Sequence, residues 1–153
     1  CEVMKWFKPT LTVVNMSAVD GCHGNFTGYL ASLHRADHSV GHLWNHIQTQ
    51  IPEMAGNTAI VIAPECGRNA EPNAVMDQND WLSYDHSDAN SLRIFGMMAG
   101  AGVPSNLIIG DEGNPVGIAT DVVPTIAELL GIKNEVMGAG LIDGGSLSLF
   151  DRM

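Results

Sequence analysis

Three clusters of side chains in this sequence combine residue types that bind metals or transfer protons. The first two clusters follow apolar runs, and the third lies in a long polar stretch. They are, in chain order, Asp20/Cys22/His23, Glu65/Cys66/Arg68 and Asp85/His86/Asp88. Carboxylates, imidazoles and thiolates together form typical ligand sets for a divalent metal. Taken singly, each cluster is more often a turn or a helix cap than a metal site.

The cysteines have several possible roles at this level. Cys66 follows an apolar run, so it is a buried small side chain, a thiolate ligand, or one half of a disulfide with Cys22 if the two loops meet. A Cys–His nucleophilic pair, formed by either cysteine with His23 or His86, is a generic alternative that no spacing specifically supports. The total of three cysteines is too few for a disulfide scaffold.

A separate set of histidines recurs at every fourth position of a predicted helix, at His34, His38, His42 and His46. Neighbouring pairs at this spacing can chelate zinc or nickel. On a helical wheel, however, the apolar residues of the same segment lie on the opposite side. We therefore expect the histidines to form a polar face toward solvent or a partner, rather than a physiological metal site.

Composition limits the classes of partner. The 153 residues include seventeen acidic and seven basic side chains, which gives a formal charge of -10. This charge repels nucleic-acid phosphates and anionic lipid surfaces. No apolar run reaches the roughly 20 residues of a membrane span. We therefore expect neither nucleic acid nor a membrane span, and an anionic substrate would need a local positive centre such as a metal ion.

Hydrophobic patterning predicts the elements that position the clusters. Short apolar, β-branched runs predict buried strands, and apolar residues spaced by three and four predict amphipathic helices. The predicted strands cover 10–18, 58–63, 92–100 and 106–110, and the predicted helices cover 29–50 and 119–132. Pro124 suits the first turn of the last helix, and Gly131 suits its end.

This order of elements predicts a single α/β domain over residues 1–153. Apolar strands that alternate with helices favour a mostly parallel sheet with helices on both faces. Because the carboxyl ends of parallel strands meet at one edge, the first two clusters should emerge together, and the third could fold onto them. The sequence therefore predicts a divalent-metal site at that edge.

The order of these motifs resembles the C-terminal portion of the alkaline phosphatase superfamily, which includes sulfatases, type I phosphodiesterases and phosphonate hydrolases. The resemblance covers nearly all of residues 9–150 and implies an alkaline-phosphatase-like fold. The segments that carry it are VNMSAVDGCH, HRADHSVGHLWNHIQ, NTAIVIAPECGRN, DHSD, VVPTIAELLGI and LIDGGSLSLF. Each motif is short, and the match depends on their order and spacing.

The resemblance implies a two-metal site, usually zinc, beside a Ser or Thr nucleophile, or one calcium and a modified Cys or Ser if the chain is sulfatase-like. It assigns Asp20, His23 and His86 to one metal. The interval from Asp20 to His23 is three residues, where the family usually has four. Glu65 and Cys66 occupy the positions of an Asp-His pair that binds the second metal.

The resemblance also implies a substrate class and a location. The expected substrate is a small-molecule phosphate or sulfate ester, one oxygen of which Arg68 could contact, although Arg68 could equally pair with a carboxylate. The family resemblance favours an extracytoplasmic location. The sheet edge exposed by a missing half-sheet would allow a homo-oligomer.

Two functional interpretations follow. The family's nucleophile lies in an N-terminal half with no counterpart here, and Ser17 matches a later part of the fold. We therefore expect this chain to contribute metal ligands to a hydrolase without turnover on its own. The alternative is a degenerate, non-catalytic binding or structural domain, which the Glu65–Cys66 pair and the missing nucleophile support.

Overall fold

The computed structural model describes residues 1–72, 79–80 and 85–153. They form two compact units, one of residues 1–58 and 66–92 and the other of residues 59–65 and 93–153. A single domain over residues 1–153 stays a prediction. The helices are α1 (Glu2–Phe7), α2 (Phe26–Gln50), α3 (Pro52–Ala55), α4 (Val122–Leu129) and α5 (Lys133–Gly138), and the strands are β1 (Ala59–Ile62) and β2 (Met97–Gly100).

The helix α2 dominates the first unit and confirms the helix predicted from apolar periodicity. It begins three residues earlier than predicted because the Asn25 side chain accepts a hydrogen bond from the backbone N–H of Gly28 at 2.7 Å. It ends before Pro52, which cannot continue the helical hydrogen bonds. Ile47 and Ile51 are 1% and 2% exposed and form the apolar centre of this unit.

The predicted mostly parallel sheet with helices on both faces is wrong, and so is the alkaline-phosphatase-like fold that the resemblance implies. Among the described residues, the sheet consists of β1 and β2 alone, paired antiparallel with Ala59 opposite Gly100. The predicted strands at 10–18 and 106–110 do not form. Val13 and Ile108 in these segments are 83% and 92% exposed.

Strand pairing explains this difference. A β-branched run has strand propensity, but it becomes a strand only where a neighbour supplies ladder hydrogen bonds and packing. Residues 10–18 form no ladder in the described chain, so α2 does not connect two paired strands and no βαβ unit arises. The apolar pattern correctly predicts the strand β1, whereas the parallel pairing inferred for it is wrong.

In the second unit, α4 holds the C-terminal segment. Leu147 donates its backbone N–H to Asp121 Oδ1 at 2.9 Å, and Leu149 donates to Thr125 Oγ1 at 2.8 Å. Arg152 Nε lies 2.6 Å from Asp121 Oδ2. Asp121 and Thr125 are 1% and 0% exposed. These two side chains therefore attach the end of the chain to the start of α4.

The predicted helix over 119–132 is confirmed, with a 3₁₀ turn at Ala119–Asp121 before α4. Pro124 lies in its first turn, as predicted. Gly131 follows with a φ of 71°, a left-handed conformation that glycine adopts at helix ends. None of the described helices combines the length and the apolarity that crossing a bilayer requires.

The ionised form of Asp121 stabilises the second unit. Its burial opposes ionisation, but the Arg152 guanidinium and the backbone N–H groups of Ile118 and Leu147 together outweigh that effect and lower the pKa of the carboxyl below its ordinary value. A lowered pKa means that the stabilisation is present above the unfolded-state pKa and is lost as the pH falls through the folded-state pKa.

We expect Asp121→Asn to lower the free energy of unfolding by about 2 kcal/mol at pH 7, because it removes the charge that Arg152 faces. Urea denaturation measures this change. The matched control is Glu112→Gln, which breaks the exposed ion pair with Arg93 and should cost at most about 1 kcal/mol. The effect of Asp121→Asn should shrink as the pH falls below 3.8. An equal effect of the two substitutions at pH 7 would contradict this account.

Candidate metal site

A 3₁₀ turn brings Asp20 and His23 together. The turn covers Asp20–Cys22, and His23 continues it with helical backbone angles. Because a 3₁₀ helix has three residues per turn, side chains at i and i+3 lie on the same side. Asp20 Oδ1 is accordingly 3.2 Å from His23 Nε2. The three-residue interval in the sequence therefore suits this local conformation.

Asp85 contacts the other ring nitrogen of the same imidazole. Its Oδ1 lies 2.8 Å from His23 Nδ1 and also accepts the backbone N–H of His86 at 2.8 Å. Both ring nitrogens of His23 are therefore engaged by carboxylates, one from the 3₁₀ turn and one from a loop 62 residues further along the chain. This arrangement fixes the orientation of the ring.

His86 completes a three-residue grouping. Its ring centroid lies 4.6 Å from that of His23. One ligand atom from each of Asp20, His23 and His86 lies within 4.8 Å of the other two, and this is the one such grouping in the parts of the chain that the structure describes. The His23 and His86 side chains keep 45% and 39% of their surface exposed. The grouping is therefore open to ions and small molecules.

The second predicted ligand pair is not part of this grouping. Glu65 and Cys66 belong to different compact units, and neither joins Asp20, His23 and His86 among the described residues. No disulfide joins Cys22 to Cys66, so the disulfide alternative is not observed. Cys22 Sγ instead donates to the carbonyl of Ala18 at 3.4 Å and lies 3.7 Å from Ser32 Oγ.

Arg68 lies against the 3₁₀ turn. Its guanidinium stacks over the ring of Tyr29 at 4.3 Å from the centroid, a favourable cation–π contact. It also donates a hydrogen bond to the carbonyl of Val19 at 3.3 Å, directly before Asp20. Arg68 therefore links α2 to the turn that carries Asp20. Its contact with a substrate oxygen stays a prediction.

The histidine face of α2 is separate from this grouping. His34, His38 and His42 are exposed, as predicted, and His46 is partly buried. The His42 and His46 rings are nearly parallel with centroids 6.4 Å apart. None of these four residues belongs to the grouping found in the described chain.

Charge at the site centres on His23. The hydrogen bond to Asp85 is the largest cause that raises the pKa of His23 above 6.5; partial burial opposes it, and the contact with Asp20 adds to it. The same hydrogen bond, together with the backbone N–H of His86, lowers the pKa of Asp85. The two carboxylates therefore stabilise the imidazolium form of His23, which can donate a hydrogen bond to each of them.

The donor set also fits a zinc ion. Two imidazoles and a carboxylate leave one coordination position open, as in catalytic zinc sites. Two ligands of a tetrahedral zinc ion with bonds of about 2.0–2.1 Å lie about 3.3 Å apart. The separation of 3.2 Å between Asp20 Oδ1 and His23 Nε2 is close to that value. Asp85 would then hold the Nδ1–H of His23, which is the usual arrangement behind a ligating histidine.

Asp85 joins the candidate site although the motif comparison gives it no role. The resemblance assigns roles to Asp20, His23 and His86, and the sequence marks Asp85 only as a member of the third cluster. The sequence signal for a role of Asp85 is its position next to His86. An aspartate there can accept the backbone N–H of His86 and also contact a distant imidazole. The contact with His23 spans 62 residues and could not be read from local spacing.

We expect Asp85→Asn to lower the pKa of His23 toward 6.5 in the metal-free protein, because the amide carries no negative charge to stabilise the imidazolium. The proton NMR titration of the His23 ring measures this pKa. Asp37→Asn is the matched control, since Asp37 is an exposed aspartate on α2 outside the grouping. A His23 titration that does not change in Asp85→Asn would refute the contact.

Comparison with known proteins supplies no relatives for this site: no family model, no curated protein and no solved structure matches the chain.

Proposed function

We propose that Asp20, His23 and His86 bind one divalent metal ion, zinc in preference to calcium, as part of a hydrolase of phosphate or sulfate esters. The observation that carries this proposal is the position of His23 between the carboxylates of Asp20 and Asp85, with the His86 ring beside it. The ring has a carboxylate at each nitrogen and a second imidazole 4.6 Å away, and this combination of anionic and imidazole groups suits a bound cation.

The ligand types favour zinc. Calcium takes six to eight oxygen ligands, and two imidazoles offer it none. Zinc binds imidazole and carboxylate together in four-coordinate sites. Other transition metals, including nickel and copper, accept the same donors, so the preference within this group depends on geometry and availability. The sulfatase-like alternative with calcium therefore has less support from these residues than the zinc alternative.

The chain's own residues would orient the site and control its charge. Asp85 holds the His23 ring through Nδ1, so that Nε2 faces Asp20. Arg68 and Tyr29 brace the turn that presents Asp20. A bound zinc ion would supply a positive centre that polarises a phosphoryl or sulfuryl oxygen. Without it, the carboxylates of the site and the overall charge of -10 repel an anionic ester.

The motif order supports the hydrolase part of the proposal. Asp20, His23 and His86 are the three residues that the resemblance to the alkaline phosphatase superfamily assigns to one metal, and they lie together in the first unit. The metal-binding part depends on the geometry alone. The hydrolase part depends on the resemblance as well.

A second candidate is a non-catalytic metal-binding or structural domain. The observation that favours it is the position of Glu65 and Cys66 outside the grouping, which leaves a single three-ligand site in the described chain. Ester hydrolysis by two ions needs both sites, because each ion stabilises a different oxygen. Zinc binding is common to both candidates, and catalysis separates them.

We expect isothermal titration at pH 7 to detect one zinc site, and His86→Ala to weaken its affinity at least tenfold because one of three protein ligands is lost. His38→Ala provides the matched control, since it removes an exposed histidine of α2 outside the grouping. Equal affinities of the His86→Ala variant and the unsubstituted protein would reject the ligand assignment.

The hydrolase proposal predicts that the longest native form of the protein, loaded with zinc, cleaves nitrophenyl phosphate, a nitrophenyl phosphodiester or nitrophenyl sulfate. The release of nitrophenol measures this activity, and His23→Ala should reduce it at least a hundredfold because the substitution removes a ligand. Activity no greater than that of the free metal ion, for all three esters and at every zinc concentration, would favour the non-catalytic candidate.

A further inference from the structure

Two loops of the first unit meet beside the proposed metal site. One loop covers residues 66–70 and the other covers residues 85–91. Backbone hydrogen bonds join them at two points, from Gly67 N to the carbonyl of Ser91 and from Asn69 N to the carbonyl of Asp85, both at 2.7 Å. The loops have no regular secondary structure apart from a 3₁₀ turn, so side chains must supply the remaining links.

Asn69 supplies most of these links. Its Oδ1 accepts the backbone N–H of Ser87 at 2.6 Å and that of Asp88 at 2.9 Å. Its Nδ2 donates to Ser87 Oγ at 3.0 Å. Together with its backbone bond to Asp85, Asn69 contacts the chain on both sides of His86. The side chain and the backbone N–H of Asn69 therefore hold the backbone on both sides of His86, a proposed ligand.

Asp88 links the same loops with a side chain that belongs to the 85–91 loop. Its Oδ2 accepts the backbone N–H of Ala70 at 2.8 Å, and its Oδ1 accepts the backbone N–H groups of Asn90 at 2.9 Å and Ser91 at 3.2 Å. The carboxylate therefore closes its own turn and also holds the 66–70 loop. We call the side chains of Asn69 and Asp88 the loop clasp.

We propose that the loop clasp positions His86: Asn69 and Asp88 hold the backbone on either side of His86, and thereby keep its ring within reach of His23 and Asp20. This inference rests on the proposed metal site and adds two residues that neither the motif order nor the ligand types assign. The hydrogen bonds of these two side chains named above go to backbone N–H groups and the Ser87 hydroxyl, so we assign Asn69 and Asp88 as positioning residues and not catalytic ones.

The exposure of His86 makes this positioning necessary. Its side chain is 39% exposed, and its described contacts are the His23 ring and Asp85 Oδ1, the latter at 3.6 Å from Nε2. Packing alone therefore holds the imidazole weakly. A metal site in which one ligand must be reordered loses affinity, and loss of an outer partner typically costs 10- to 100-fold. We expect Asn69→Ala to weaken zinc binding by about that factor.

The test uses three variants of the full chain. Asn69→Ala removes all three side-chain links, whereas Asn69→Asp keeps the acceptor for Ser87 and Asp88 and loses only the donor to Ser87 Oγ. Asn114→Ala is the matched control, because Asn114 also closes a turn through its side chain, in the second unit. Amide NMR signals of α2 check that the first unit remains folded in each variant.

Two readouts separate positioning from general stability. The first is the nuclear Overhauser effect between the His23 and His86 rings in the metal-free protein, which reports whether the rings stay adjacent. The second is zinc affinity by titration, with Co²⁺ absorption as a probe of coordination geometry. We expect Asn69→Ala to lose the Overhauser effect and 10- to 100-fold in affinity, Asn69→Asp to lie between, and Asn114→Ala to match the unsubstituted protein.

The outcomes distinguish this inference from the proposed function. If the unsubstituted protein binds no zinc, the proposed function fails, and the ring contact alone decides the clasp. In that case, loss of the ring contact in folded Asn69→Ala, with its retention in Asn114→Ala, supports the clasp. Where the unsubstituted protein binds zinc, support for the clasp requires folded Asn69→Ala to lose both the ring contact and zinc affinity, while Asn114→Ala keeps both. Retention of the ring contact in Asn69→Ala, or an unchanged zinc affinity in that variant where the parent protein binds zinc, overturns it.

Discussion

His23 is held between two carboxylates, and the geometry of the candidate site depends on that interaction. Asp20 contacts one ring nitrogen from the adjoining 3₁₀ turn, and Asp85 contacts the other from a distant loop. Because both partners are acceptors, the metal-free ring is favoured in its protonated form, which explains the raised pKa of His23. The proposed metal ion would take the place of the Nε2 proton, so we expect the proton and the metal to compete for this position.

Other contacts of the first unit support the residues that surround His23. The long helix α2 presents Tyr29, on which Arg68 stacks, and Arg68 holds the carbonyl before Asp20. The side chains of the loop clasp join the loop that carries Asp85 and His86 to residues 66–70. A helix and a pair of hydrogen-bonded loops therefore both support the site. Its supports are polar, because the buried apolar centre of this unit is small, with Ile47 and Ile51 as its fully buried aliphatic residues in the described chain.

The second unit shows the same dependence on polar contacts. Asp121 is buried with Arg152 beside it, and the C-terminal segment donates backbone N–H groups to Asp121 and Thr125. Buried charges of this kind persist only when they are paired and hydrogen-bonded. Several apolar residues, such as Val13 and Ile108, remain exposed in segments that the sequence marks as strands. Apolar content alone therefore did not determine which segments become buried.

The sequence alone determined the elements that depend on nearby residues. Helical periodicity predicted α2 and α4, and the helical wheel predicted an exposed histidine face on α2. The residue types marked three candidate clusters, from which the resemblance to the alkaline phosphatase superfamily selects Asp20, His23 and His86. Only the tertiary structure decided strand pairing, and it replaced the predicted parallel sheet by one antiparallel pair. It also brought Asp85 to His23, and Asn69 to the loop around His86. These contacts join residues 16 to 62 positions apart along the chain, and local propensity and periodicity carry no information about which distant loops meet.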